Sequence, residues 1–193
     1  MMTSATSYWA SRDRTYGSGW CNHYWDATDQ PHRRLLVEAL RRMALWTSIA
    51  EIGCNVGTNL RLIASAFPHA RVAGFDVNRV ALAYGQDRLD GSFVCADVHH
   101  LPLRDESIDV IMSCYALAYV SPTDLPKVID RLIRVCRIGL VIAEPMVGPE
   151  GEVSGGCPEW RHRYLAHLPG RRTTLTTVSP PVDHLNGIVT WEK

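Results

Sequence analysis

The residues that can do chemistry begin where an apolar run ends on an acid and a glycine, in Ile49-Ala50-Glu51-Ile52-Gly53-Cys54-Asn55-Val56-Gly57-Thr58. Gly53 lacks a Cβ, so the chain can turn sharply there and a ligand can approach closely. Gly57 does the same at the entrance of a following helix, where free backbone N–H groups favour a carboxylate or phosphate. A second apolar run, Val72-Ala73-Gly74-Phe75, ends on Asp76, an acid placed to accept from both hydroxyls of a ribose. A third, Phe93-Val94-Cys95-Ala96, ends on Asp97. That acid can accept from the exocyclic amine of adenine, with the Val98 backbone at the ring edge. Each such charge-assisted hydrogen bond contributes about 1.5–3 kcal/mol. One acid at a strand end is common and often caps the next helix. Three in succession point to a nucleoside-containing ligand.

Proton acceptors are scattered. His23, His99, His100, His162, His167 and Tyr115 can each act as a base, and no two share a motif spacing. His99 and Tyr115 fall nearest the expected cleft and are the candidate catalytic residues. Asp109 reads as structural, and Glu144 ends a strand at the ligand edge. Arg33 and Arg34 can reach a carboxylate, although a solvated helix face is the simpler role for both. Cys21, Cys54, Cys95, Cys114, Cys136 and Cys157 include no C-x-x-C pair, so no metal site is expected. Cys54, Cys95 and Cys114 fall in or beside expected buried strands, where a thiol behaves as a small apolar group.

The elements that must position these groups alternate. Strand-like runs are expected at Ser48–Ile52, Arg71–Phe75, Ser92–Ala96, Ile108–Ser113 and Leu140–Ala143. Helical patterns stand between most of them, at Thr58–Ala66, Arg79–Leu89 and Thr123–Val135, the last started by Ser121 and Pro122 and stopped by Gly139. An earlier helix begins at Pro31, with Asp29 as its cap and Leu35, Leu36, Ala39, Leu40 and Met43 at helical spacing. Such alternation predicts an α/β fold with a mainly parallel sheet covered on both faces. The tail differs. A short helix over Trp160–Leu168 precedes two runs, Leu175–Val178 and Gly187–Trp191, joined without a helix through Ser179–Asn186. That connection suits an antiparallel pair at the sheet edge.

The loop at Glu51, Gly53 and Gly57, the acids Asp76 and Asp97, the stretch His100-Leu101-Pro102 to Ile111 and the run Ile138–Pro145 resemble the class I (Rossmann-like) S-adenosylmethionine-dependent methyltransferases. The resemblance covers residues 48–145. It implies a three-layer Rossmann-like sandwich whose seven-stranded, mostly parallel sheet ends in an antiparallel C-terminal strand. It also implies S-adenosylmethionine as cofactor. Glu51, Gly53, Cys54, Asn55 and Gly57 would then shape the loop beside the methionine part. Asp76 would hold the ribose, Val77 would pack on adenine, and Asp97 with Val98 would bind its edge. Ser113 and Tyr115 would face cofactor and substrate. Asn55 replaces a usual glycine, and asparagine tolerates left-handed dihedrals. The N/D-P-P-Y/F signature of amino methyltransferases is absent, since Ser113-Cys114-Tyr115-Ala116 stands there.

The 193 residues fit one methyltransferase domain: a lid and helix region at 1–47, a cofactor-binding core at 48–145 and a C-terminal hairpin region at 146–193. In the first region Tyr16, Trp20 or Trp25 would line the acceptor pocket, or the aromatics would simply pack on the sheet. Zero formal charge argues against nucleic acid as partner, since phosphate binding needs a basic excess. No run approaches the roughly 20 apolar residues of a membrane span, and no secretory leader is visible. Free thiols fit a reducing cytoplasm. The expected activity is direct methyl transfer to a small molecule, an oxygen acceptor being preferred. Two alternatives compete: a catalytically silent binding partner, and a nicotinamide-dependent oxidoreductase, which would need G-x-G-x-x-G where this chain has G-C-N-V-G. Oligomeric state is not readable.

Overall fold

The computed structural model describes residues 5–12, 19–146, 159–170, 172–182 and 185–193. Its helices are α1 (Ala5–Ala10), α2 (Gly19–Asp26), α3 (Pro31–Arg42), α4 (Thr58–Ala66), α5 (Arg79–Gln86) and α6 (Leu125–Val135). Its strands are β1 (Ser48–Ile52), β2 (Arg71–Asp76), β3 (Ser92–Cys95), β4 (Ile108–Cys114), β5 (Cys136–Ala143), β6 (Thr173–Val182) and β7 (Leu185–Glu192). They form one seven-stranded sheet in the order β3-β2-β1-β4-β5-β7-β6. Strands β1 to β5 run parallel, β7 is antiparallel to β5, and β6 is antiparallel to β7. The expected α/β sandwich with a reversed terminal strand is therefore the observed one.

Successive strand residues point to opposite faces, and each face has its own core. Ile49, Val110, Met112, Val141 and Ile188 pack with Leu36 and Leu40 of α3 and with Leu60 and Ile63 of α4. Ala50, Ile111, Leu140, Ile142 and Val189 pack with Leu125, Ile129 and Leu132 of α6. Asp109 ties the amino ends of the strands together. It accepts from Thr47 N at 2.8 Å, Ser48 N at 3.0 Å and Arg137 Nε at 2.7 Å. Burial works to raise its carboxyl, and these donors outweigh it and hold the group well below the usual range. The structural reading of Asp109 fits this network.

Several boundaries differ from expectation. Gln30, not Asp29, precedes α3 as its cap residue. Helix α5 stops at Gln86 rather than Leu89. Gly139 does not stop α6. The helix ends at Val135, β5 begins at Cys136, and Gly139 lies inside the strand, where a Cβ would collide with the Trp191 carbonyl of β7. The hairpin strands reach further than expected. Pro180 and Pro181 fall within β6, which a proline tolerates because β6 is the sheet edge. Only a single turn, Tyr164–His167, forms within the stretch expected as a helix. Cys54 and Cys114 are buried but Cys95 is exposed, because β3 is the opposite edge. Tyr16 and Cys157 lie outside the described residues. Among the described residues no helix is long and apolar enough to cross a membrane, and no cluster of metal-binding side chains occurs.

Candidate active site

A cleft of about 450 Å³ opens at the carboxyl ends of the strands, where parallel α/β sheets bind ligands. The loop after β1 forms its floor. Gly53, Asn55 and Gly57 adopt φ values of 70°, 52° and 83°. Asn55 thus accepts the left-handed conformation where the resemblance has glycine. At Gly53 a Cβ would collide with Ala116, so the loop and the segment after β4 touch here. At Gly57 a Cβ would sit 2.8 Å from the Phe93 ring. Gly57 therefore serves the turn into α4 and is not among the cleft-lining residues.

Asp76 fastens this loop to β2. Its Oδ2 accepts from Asn55 N and its Oδ1 from Asn78 N, both at 2.8 Å. Burial raises its carboxyl, and the backbone donors oppose the rise. Helix capping is done instead by Asn78, whose Oδ1 accepts from Ala81 N. Asp97 does cap a turn: its Oδ1 accepts from His99 N at 2.9 Å and pairs with His99 Nδ1 at 2.5 Å. Thr6 Oγ1 of α1 donates to its Oδ2 at 3.0 Å. Burial pushes this carboxyl up, but the donors prevail and lower it.

Glu51 is buried at the cleft floor, 1% exposed. Its Oε1 accepts from Asn59 Nδ2 at 2.6 Å, and its Oε2 has no partner. Desolvation raises this carboxyl to about 8, against lowering contributions from Asn59 and Arg33. Arg33, expected on a solvated face, instead turns into the cleft and donates to Asn59 Oδ1. Its Nε is buried without a partner. A chain Glu51–Asn59–Arg33 thus joins β1, α4 and α3.

Cys54, Val77, Val98, His99 and Tyr115 also line the cleft with Glu51, Gly53, Asn55, Asp76 and Asp97. Ser113 does not. Its hydroxyl points to the neighbouring strand end and donates to Glu144 Oε1 at 2.5 Å. Glu144, fully buried, also accepts from the amides of Ala116, Leu117 and Ala118 at 2.8–3.1 Å. It fixes the turn that presents Tyr115 and Tyr119. Burial raises its carboxyl against those four donors.

Of the distant histidines, His162 meets the Val120 carbonyl in the core, and neither it nor His100 or His167 lines the cleft. Neither Trp20 nor Trp25 lines it. Trp20 is buried with Cys21, Val56 and Ala81, and Trp25 meets Tyr84 edge-on. Trp9, His23, Tyr24 and Tyr119 line it instead, together with His32. Arg12 clips α1 to α2. It donates to the hydroxyls of Tyr8 and Tyr24, both at 3.1 Å, with its guanidinium 4.6 Å from the Trp9 ring centre. Reading the sequence missed His32 and Asn59. The signal for His32 was present: it lies four residues before Leu36, on the buried stripe of α3.

Residues 49–139 match the family model described as a methyltransferase domain. The chain is 27% identical over 134 residues to malonyl-[acyl-carrier protein] O-methyltransferase of Alcanivorax borkumensis, covering 67% of this chain and 46% of that protein. It is 30% identical over 124 residues to trans-aconitate 2-methyltransferase of Variovorax paradoxus, covering 64% of this chain and 46% of that one. It spans about half the length of these curated relatives. A crystal structure of a SAM dependent methyltransferase from Aquifex aeolicus superposes with a TM-score of 0.64 at 15% identity, over 92% of this chain and 98% of that one. Strand order and superposition give the chain the class I, Rossmann-like methyltransferase fold, and residues 49–139 carry the match to the methyltransferase-domain family.

Proposed function

We propose that this protein transfers a methyl group from S-adenosylmethionine to an oxygen of a small molecule. One observation carries the cofactor half of that reading. Glu51 Oε2 and Arg33 Nε are buried, unpartnered and of opposite character in one cleft. Buried polar groups without partners cost about 1–3 kcal/mol each. A ligand end bearing both an ammonium and a carboxylate satisfies both, and an α-amino acid is such an end. When bound, S-adenosylmethionine supplies an electrophilic methyl on a sulfonium sulfur. Glu51 would take its ammonium and Arg33, held by Asn59, its carboxylate. Asp76 would accept from the ribose hydroxyls, Asp97 from the adenine amine, and Val77 and Val98 would flank the ring. A nicotinamide dinucleotide offers no ammonium for Glu51.

The protein's main contribution is alignment of acceptor and methyl, which can supply about 7–11 kcal/mol of the barrier. In the transfer the acceptor oxygen would bond to the methyl carbon as the carbon–sulfur bond breaks, the electron pair staying on sulfur. The hydroxyl proton, where one is held, leaves to solvent or to a cleft imidazole such as His32 or His99. Support for oxygen comes from Ser113-Cys114-Tyr115-Ala116 in place of the amine-target signature, and from the O-methyltransferase among the relatives. The cleft volume lies low in the range of about 300–1,000 Å³ for ligand sites, which favours a small acceptor.

Calorimetry with S-adenosylhomocysteine tests the cofactor assignment. Asp76→Ala should weaken binding by about 10- to 150-fold, the equivalent of one charge-assisted hydrogen bond. Unchanged affinity would sink the ribose assignment. Transfer of labelled methyl to a metabolite extract then separates an enzyme from a silent binding protein.

A further inference from the structure

The cleft has more wall than a nucleoside and an amino acid would use. The remainder comes from α1, α2, the first turn of α3 and the segment after β4, where Trp9, Tyr24, His32, Tyr115 and Tyr119 stand among Thr6, His23, Gln30 and small apolar residues. Trp9 forms its roof. The Trp9 carbonyl accepts from Asn78 Nδ2 at 2.8 Å, close to Asp76. Its indole reaches across the sheet to Tyr119, edge-on with ring centres 5.4 Å apart. Trp9 Nε1 is buried and has no hydrogen-bond partner. On the opposite wall, Tyr115 is held at φ 56°, a conformation that costs energy and recurs at ligand sites. Its ring meets that of His32, with centres 5.7 Å apart.

Charge narrows the occupant further. Arg33 is the only lysine or arginine lining the cleft among the described residues, and Glu51, Asp76 and Asp97 are the only acids. All four are committed if the cofactor assignment above holds, on which this step rests. Beyond the imidazoles of His23, His32 and His99, nothing that can carry charge is left for a polycarboxylate, and no acid is left for a free ammonium. An ammonium also cannot accept from the Trp9 N–H.

We propose that the methyl acceptor is a flat, conjugated hydroxyl compound of the phenol or enol type. It lies between the Trp9–Tyr119 roof and the Tyr115–His32 wall, with an oxygen accepting from Trp9 Nε1. Aromatic faces favour a flat π-system in offset or edge-on contact, and the indole N–H fixes which edge carries oxygen.

The test uses the 193-residue protein saturated with S-adenosylhomocysteine and three probes: 2-naphthol, trans-aconitate and ethanolamine. Calorimetry should show saturable binding of 2-naphthol, more tightly than of the other two. Trp9→Phe keeps a ring and removes the donor. It should weaken 2-naphthol about 2- to 13-fold, the range for one neutral hydrogen bond, while affinity for S-adenosylhomocysteine holds. No saturable 2-naphthol binding, tighter binding of trans-aconitate or ethanolamine, or an unaltered 2-naphthol affinity in the variant would each overturn the proposal. Failure of the parent protein to bind S-adenosylhomocysteine would instead fell the cofactor assignment, and this proposal with it.

Discussion

Glu51 holds a proton in the cofactor-free fold at pH values where an unfolded chain has lost it. Its carboxyl is raised from 4.5 to about 8, chiefly by desolvation. The folded state then binds more protons than the unfolded one across that interval. Its contribution to stability therefore declines as pH rises from about 4.5 and levels off above about 8. Glu51→Gln removes this slope. Urea midpoints measured at pH 5 and pH 8 should lie closer together in the variant than in the parent, and affinity for S-adenosylhomocysteine should fall. An equal gap between midpoints would show that Glu51 is not protonated in the empty site. Asp76 and Glu144 shift in the same direction and leave a residual slope. At this scale Glu51, Asp76 and Asp97 were legible, because each ends an apolar run. The direction of Ser113 was not. In a strand buried on both sides, residue type does not say which neighbour a hydroxyl will meet, and Glu144 claims it from just beyond β5.

The segment after β4 owes its shape to one carboxylate. Ser113 and three consecutive amides from Ala116 to Ala118 all donate to Glu144. Glu144→Ala leaves those donors buried without an acceptor, at about 1–3 kcal/mol each. The variant should lose about 3 kcal/mol or more of unfolding free energy in a denaturant titration. A loss below 1 kcal/mol would mean that water replaces the carboxylate without cost. Element identities followed from apolar periodicity, as in α3 and α4, whereas boundaries without a turn residue did not. Helix α6 passes into β5 at Val135–Cys136 with no glycine or proline between them. The glycine that looked like a stop, Gly139, serves close approach of β7, a contact made by residues far apart in the sequence.

On the scale of the whole molecule, the parallel half of the sheet was visible as alternating runs and the terminal hairpin as two runs without a helix between them. A lid from the N-terminal region was expected, but Trp9 and Tyr24 were not singled out as the residues that build it. Its aromatic residues have no period, and their placement depends on single long-range bonds: Thr6 to Asp97, Asn78 to the Trp9 carbonyl and Arg12 to Tyr24. Those bonds fasten α1 above the same strand ends that the cofactor assignment uses. The roof therefore dictates a queue. Under the proposed reaction, an acceptor lodged directly beneath Trp9 would bar the way to the strand ends below it, so the cofactor would take its seat first and depart last. Steady-state inhibition should record that sequence. S-adenosylhomocysteine should compete with S-adenosylmethionine at every acceptor concentration, and it should act noncompetitively against the acceptor. Competition against both would mean that the doorway admits either guest first, and that the N-terminal helix is a cover rather than a turnstile.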